Sequence, residues 1–395
     1  MPPRPYKHRT VIPQHPTYDY IIAGAGCAGL SMLMRMMKHP FYFNKKILII
    51  DPLMQEQPSK TWCFWEKQED IFEPVVFHRW EQIEIVSAEL KLQKPLFPYK
   101  YKMIRSRDLF HHVKTASAAF SDIHWLQANV TAIDNEGPLA FALVNGEKIY
   151  CSTLLNSVTY SDYWKQQPER HYLWQHFKGR MIEAEKPVFQ DHIARLMDFR
   201  TKQESGTCFV YVLPVSPRKA LVEFTVFSEA LLSQEQYDLA LDEYIENILQ
   251  PGSYSVLETE TGAIPMTNHR FCRQSGNILH IGTAGGDTKA STGYTFRFIQ
   301  KTTARIVAEL AKEGDVSLTP WFKARFNLYD STLLRILRHE TMPGDQIFTR
   351  LFKKNPPARV FRFLDNETSL AADLPIFSSL PVSVFLPAFC KELFL

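Results

Sequence analysis

At 395 residues the chain is long enough to bury a large core and to hold two intermixed domains. Its formal net charge of +3, with no basic run, argues against nucleic acid as a main partner. The cysteines, Cys27, Cys63, Cys151, Cys208, Cys272 and Cys390, stand without C-x-x-C or zinc-like spacing, so they read as reduced thiols in a cytoplasmic compartment and not as metal ligands.

Residues 1–17 carry prolines and basic residues but no apolar stretch, which makes them neither a signal peptide nor a membrane anchor. The next segment, YDYIIAGAGCAG from Tyr18 to Gly29, joins an apolar run to a complete G-x-G-x-x-G fingerprint. Tyr20 to Ala23 predict a buried parallel strand and Leu30 to Met37 a crossover helix. Gly24 makes the tight turn, Gly26 leaves room for a pyrophosphate, and Gly29 lets the helix lie close to the sheet; the helix N-terminus offers free N–H groups to phosphate. A second apolar run, Ile47 to Ile50, ends in Asp51, an acid placed to accept from a ribose hydroxyl. Strand, fingerprint, helix, strand and terminal acid together predict a dinucleotide site.

Trp62, Phe64 and Trp65 crowd aromatic surface into TWCFWEK, as a core or an apolar pocket does. Arg105-Ser106-Arg107-Asp108 marks a helix start, and His111 and His112 behind it read as solvated, with no partner at metal-ligand spacing. From His124 to Val158 short β-like runs alternate with turns, of which Asn145-Gly146 is a hairpin signal. Leu154 and Leu155 then lead back to the dinucleotide sheet. Phe209 to Leu213 and Ala220 to Phe227 predict two strands of a second, substrate-bearing sheet, and Ser233 with Gln236 opens a helix that Pro251-Gly252 ends.

Alternation in the segment ALVEFTVF sets Leu221, Glu223, Thr225 and Phe227 on one face and Val222, Phe224 and Val226 on the other. On an interior strand Glu223 is a carboxyl group in poor solvent, with its pKa raised into the range of a general acid. The alternative is a glutamate that is partly exposed or paired with Arg218 or Arg200. Asp198 and Arg200 form an internal ion pair or orient Glu223.

Ile278 to Ile281 predict a further strand, which runs into GTAGGDTKASTGYTF. Gly282, Gly285 and Gly286 permit close backbone approach, and Thr292-Gly293 is read as the start of a helix whose amides face a flavin's pyrimidine edge. This return to the cofactor favours FAD over NAD. Residues from about 315 to 370 read as helical. The tail from Ile376 to Leu395 is apolar but broken by Pro381, Pro387 and charges, so it either packs on its own domain or touches a membrane peripherally. No run is long enough to span a bilayer.

The segments YDYIIAGAGCAGLS, KTWCFWE, LMDFR, YVLPVSPRKALVEFTVFS, GAIPMTNHR, IGTAGGDTKASTGYTF and FRFLDNETSLAADLPIFSSLP together resemble the flavin-dependent lycopene cyclases of bacterial and plant type, above all the β-cyclase branch. The resemblance implies an α/β fold of the glutathione-reductase type. Its FAD-binding Rossmann domain comprises 1–70, 101–160 and 271–312, its interleaved β-sheet substrate domain 71–100 and 161–270, and its C-terminal helical region, able to face a membrane, 313–395. It implies that Gly24, Gly26, Gly29, Asp51, Arg105, Gly282, Gly285, Gly286, Thr292 and Gly293 bind FAD, which serves in its reduced form with NAD(P)H as reductant. The implied substrate is lycopene or a related linear carotenoid, at the cytoplasmic membrane and with no obligate protein partner.

In such enzymes an acid at the position of Glu223 protonates the terminal double bond, and a proton lost later closes the β-ring without net electron transfer. Two features depart from the pattern. Thr283 stands where flavoproteins of the wider fold carry a ribityl-binding aspartate, so another group holds the sugar, and Phe224 stands where plant relatives carry a second acid, so either a single acid carries the protonation or an acid from elsewhere, such as Glu66 or Asp198, shares it. The competing reading is a monooxygenase or prenyl reductase on the same fold, consuming NAD(P)H with each product.

Overall fold

The computed structural model describes residues 17–54, 60–159, 167, 169–313 and 324–394; the readings of residues 1–16, of 160–166 and of the start of the C-terminal region fall outside them. The first sheet grows from the two apolar runs flanking the fingerprint. Strand Tyr18–Ala23 lies parallel to Ile47–Asp51 on one side and to Glu147–Asn156 on the other. Ile123–Gln127 closes one edge, and Ile278–His280 with Gln274–Ser275 the other. Continuous apolar runs suit this position because both faces are covered. Ile22 and Ile49 pack under helices Cys27–Met37, Ser106–Ser117 and Phe296–Glu313, while Ile21 and Ile50 pack against Ala140 and Ala142 of the Val130–Glu136 and Leu139–Val144 hairpin. Asn145 and Gly146 turn the chain with φ of 51° and 83°, as the Asn-Gly signal predicts.

The second sheet has seven strands in the order Tyr254–Thr267, Tyr172–Ala184, Lys219–Ser228, Thr207–Pro214, Ile193–Asp198, Gln82–Val86 and Lys91–Pro95. Strand Lys219–Ser228 is therefore interior, antiparallel to both neighbours. Its two faces part as the alternation requires. Val222, Phe224 and Val226 pack on Tyr237 and Leu241 of helix Gln234–Tyr244, whose capping box Ser233–Gln236 is formed. Leu221 and Phe227 join Phe209, Phe348 and Phe361 in the largest core, beneath the C-terminal helices.

A small sheet, Thr61–Glu66, Lys100–Arg105 and Val76–Trp80, sits at the seam. Its aromatic strand serves both sides by simple alternation: Trp62 and Phe64 face the dinucleotide core, and Cys63 and Trp65 face the core of the seven-stranded sheet. Segment 71–100 accordingly divides, with Val76–Trp80 at the seam and its later strands in the large sheet. The C-terminal helices Ala324–Arg338, Gly344–Lys354, Pro357–Leu364, Leu370–Ser378 and Val382–Leu393 are tied down by ion pairs, Lys289 to Asp330 at 2.6 Å and Arg325 to Asp373 at 3.1 Å, and by a hydrogen bond of 2.8 Å between His171 Nε2 and Glu392. Among the described residues no helix is long and apolar enough to cross a membrane.

Candidate active site

The fingerprint glycines divide by function. A Cβ on Gly24, whose φ is 97°, would lie 2.3 Å from Ser157 Oγ, and one on Gly29 would lie 2.0 Å from the Gly24 carbonyl oxygen, so both are needed for close packing. At Gly26 a Cβ would meet nothing within 4 Å. That open cradle lies at the N-terminus of helix Cys27–Met37, where no side chain caps the first amides, and its shape fits a pyrophosphate. Asp51 fixes the loop beside it: Oδ2 accepts from the Ala25 amide at 2.8 Å, and Oδ1 accepts from Leu53 and Met54 at 2.9 and 3.2 Å.

The second glycine loop meets this cradle at Gly282, where φ is 63° and a Cβ would fall 2.8 Å from Ala28 Cβ. Gly285 and Gly286 pack instead on the His280 backbone and the Phe271 ring. The helix expected at Thr292-Gly293 begins at Phe296. Gly293 has φ of 71°, which a right-handed helix cannot accommodate, and the amides of Thr292 and Gly293 close a turn on the Lys289 carbonyl. Thr292 Oγ1 and Gln175 Oε1 are buried there without partners among the described residues, and a Cβ at 293 would strike Gln175 Oε1. Such a pair of orphaned polar atoms fits the polar edge of a flavin.

Where Thr283 replaces the expected aspartate, the nearby Asp287 is wholly buried: it accepts from the Gly282 amide and Thr302 and pairs with Arg273, so it shapes the loop from within. Arg105 donates to Asp108 at 2.6 Å and lies 3.9 Å over the Phe77 ring; among the described residues no hydrogen bond joins it to the fingerprint. No group of three His, Cys, Asp or Glu capable of holding a metal occurs among them.

Glu223 lies on strand Lys219–Ser228, near enough to Tyr294, which follows Gly293, for its charge to act there. Thr225 donates to its Oε1 at 3.1 Å, and among the described residues it has no cationic partner: Arg200 is held by Asp198 at 2.7 Å, and Arg218 donates to the Ala184 carbonyl. Cys63, Tyr101, Tyr211 and Tyr294 feel its charge from four different elements. The Trp65 ring meets Tyr294 edge-on at 4.5 Å and stacks on Phe361. Phe224 and Phe64 lie outside this wall, the first under helix Gln234–Tyr244 and the second against Phe296. The Glu223 side chain is only partly accessible on this interior strand. Burial pushes its carboxyl well above the usual range, and a second acid, Glu260, pushes the same way.

Neither Glu66 nor Asp198 is that second acid. Glu66 is paired with Lys102 at 2.6 Å, and Asp198 with Arg200, Arg195 and Tyr244. Burial opposes the charge on Asp198, but these partners outweigh it and hold its carboxyl below the usual range. Glu260 escaped sequence reading because it reaches the site only through pairing of strands far apart in the chain.

An apolar cavity of about 330 Å³ extends from Ser291 and Thr292 outward between the C-terminal helices, lined by Leu333, Phe348, Phe363, Phe377 and Phe389. Val382 and Leu386 of its lining are exposed, as are Leu370, Leu374, Leu393 and Phe394 in the same C-terminal segment.

Residues 19–388 match the family described as Lycopene cyclase protein. Curated relatives include a lycopene beta-cyclase of Pantoea ananas, 26% identical over 71% of each chain, and one of Paracoccus sp. (strain N81106 / MBIC 01143), 24% identical over 92% of this chain and 94% of that one. Among solved structures, a geranylgeranyl bacteriochlorophyll reductase-like protein of Thermoplasma acidophilum superposes with a TM-score of 0.66 at 14% identity, covering 96% of this chain and 99% of its own. A flavoprotein/dehydrogenase of Cytophaga hutchinsonii superposes with a TM-score of 0.62 at 12% identity, covering 95% and 99%. The fold is thus the mixed α/β architecture of such flavoproteins, and the chain belongs to the lycopene cyclase family.

Proposed function

We propose that this protein is a lycopene β-cyclase that closes the ψ-ends of lycopene to β-rings by proton transfer from Glu223, without net oxidation or reduction. The carrying observation is Glu223 itself, an uncompensated carboxyl on an interior strand, facing an aromatic wall. A neutral carboxylic acid with a raised pKa is the form able to protonate an alkene near neutral pH. Its proton goes to C2 of the C1=C2 bond and leaves the cation at C1. The C5=C6 pair then forms the C6–C1 bond, and loss of the C6 proton to the Glu223 carboxylate restores a double bond and the acid together. The product is an isomer of the substrate.

The chain's part is to position and to exclude water, which would trap the cation as an alcohol. Tyr101, Tyr211, Tyr294 and Trp65 supply a dry wall of π faces toward a cation. FAD is assigned to the cradle at Gly26, with Asp51, Gly282, Thr292 and Gly293 as the other holding residues; bound and reduced by NAD(P)H, it supplies negative charge that favours a cationic transition state. Lycopene is assigned to the apolar cavity, and the exposed leucines and Val382 of the last two helices to a peripheral membrane surface through which it enters.

Cyclisation in D2O tests the reading. It predicts one deuterium at C2 of each ring formed, a product otherwise equal in mass to lycopene, and no product from Glu223→Gln despite normal folding. A product heavier by added hydrogen or oxygen would mean a reductase or monooxygenase instead.

A further inference from the structure

We propose that Glu260 is the partner of Glu223 in a carboxyl pair that holds one proton between two acids, built across a glycine. Strand Tyr172–Ala184 separates the two acidic strands, and its Gly179 is in register with Glu223 on one side and with Glu260 on the other. Directly paired residues share a face, so the three form one row. A Cβ at position 179 would lie 3.3 Å from Glu223 Cβ and 3.3 Å from Glu260 Cγ. Any larger residue would wedge the acids apart, whereas glycine lets them lean together.

Glu260 is only 7% exposed. Its Oε2 accepts the Thr61 amide at 2.7 Å, while its Oε1 is buried with no partner among the described residues. A fully ionised carboxylate left in this way is costly, and sharing a proton with a neighbouring acid relieves it. The groups facing the pair come from every adjoining element. Glu258, on the strand of Glu260, opposes its ionisation, and Lys60, beside Thr61, favours it. Cys63, Tyr101, Tyr211 and Tyr294 lie near enough to Glu223 for its charge to oppose their ionisation, and Thr225 donates to it. Among the described residues no Lys or Arg is ion-paired with either acid. Two like acids so placed titrate as a unit, the first charge opposing the second.

Glu260 is therefore a positioning residue. With Glu260 ionised, Glu223 stays protonated at a pH where an isolated glutamate would be charged. After Glu223 gives up its proton, the adjacent charge favours taking one back.

The role in turnover rests on the cyclase reading, but the pairing does not, and the test separates them. The carboxylic-acid C=O band of the holoenzyme is followed by infrared spectroscopy against pH in wild type, Glu260→Gln and Glu223→Gln, alongside the pH profile of cyclisation. Glutamine keeps the acceptor for the Thr61 amide. In Glu260→Gln the midpoint of Glu223 is expected to fall by roughly one to two pH units, and the alkaline limb of kcat to move down equally. Coupling is reciprocal, so Glu223→Gln is expected to lower the midpoint of Glu260 as well, and decides the matter if the first variant does not fold. Midpoints unchanged in both variants would overturn the pair and leave Glu260 a structural anchor for Thr61. Coupled midpoints in a protein that leaves lycopene intact would uphold the pair and count against the cyclase reading.

Discussion

Placing Glu223 and Glu260 side by side makes stability depend on pH in a definite direction. Both carboxyls are held above their usual range, by burial first. Their contribution is fully present below the pKa of an unfolded glutamate and is lost as pH rises through the raised values. Asp198 works oppositely: its lowered pKa contributes stability above the unfolded value, which is lost as pH falls. We therefore expect Glu223→Gln to raise stability on the alkaline side by about 1 to 3 kcal/mol, measured as a denaturant midpoint against pH, and to leave it little changed in acid. A loss at every pH would show that the charge of Glu223 is compensated after all. At this scale the sequence was legible where chemistry is local. Alternation places Glu223 on the large-core face of its strand, and Asp198 and Arg200, two residues apart, do form the expected ion pair. Glu260 was not legible, because nothing near it in the chain records that Gly179 lies between it and Glu223.

The fingerprint and the C-terminal helices carry the predictions at the scale of elements. Gly26 and Gly29 belong to one motif but face different things, open space in one case and backbone in the other. Gly26→Val is expected to weaken flavin binding at least about tenfold while shifting Tm by only a few degrees. Gly29→Ala is expected to cost roughly 3 kcal/mol or more, since its Cβ must displace a carbonyl. Flavin fluorescence and thermal melts distinguish the two. On helix Val382–Leu393 the exposed Val382 and Leu386 lie one turn apart; replacing both with aspartate should weaken binding to liposomes about tenfold or more without altering the fold. Equal liposome binding would remove the membrane assignment from this helix. Strands and helices with long apolar runs were readable from the sequence, as was the Asn145-Gly146 hairpin. The helix start at Phe296 was misplaced by four residues because Thr292-Gly293 has the composition of a cap, while its left-handed glycine builds a turn. The seam sheet was hidden too: the aromatic density of Trp62 to Trp65 signals burial, not that alternate residues serve two different cores.

Across the whole molecule, the architecture is shared with proteins described as a reductase and a dehydrogenase, so the fold leaves the reaction open. On the proposed reading, the reaction is set by a few side chains at one place on the seven-stranded sheet: an acid with no cationic partner among the described residues, a second acid in register with it across Gly179, and the aromatic rings nearby. Those features favour making a cation and returning its proton over delivering electrons. The most direct measurement gives the purified enzyme lycopene in liposomes under anaerobic conditions, with FAD reduced once by dithionite and no NAD(P)H, and counts rings formed per flavin. Many β-rings per reduced flavin, and none from Glu223→Gln, is the result this account predicts; product limited to one equivalent of flavin, or lycopene recovered unchanged with flavin still bound, would contradict it.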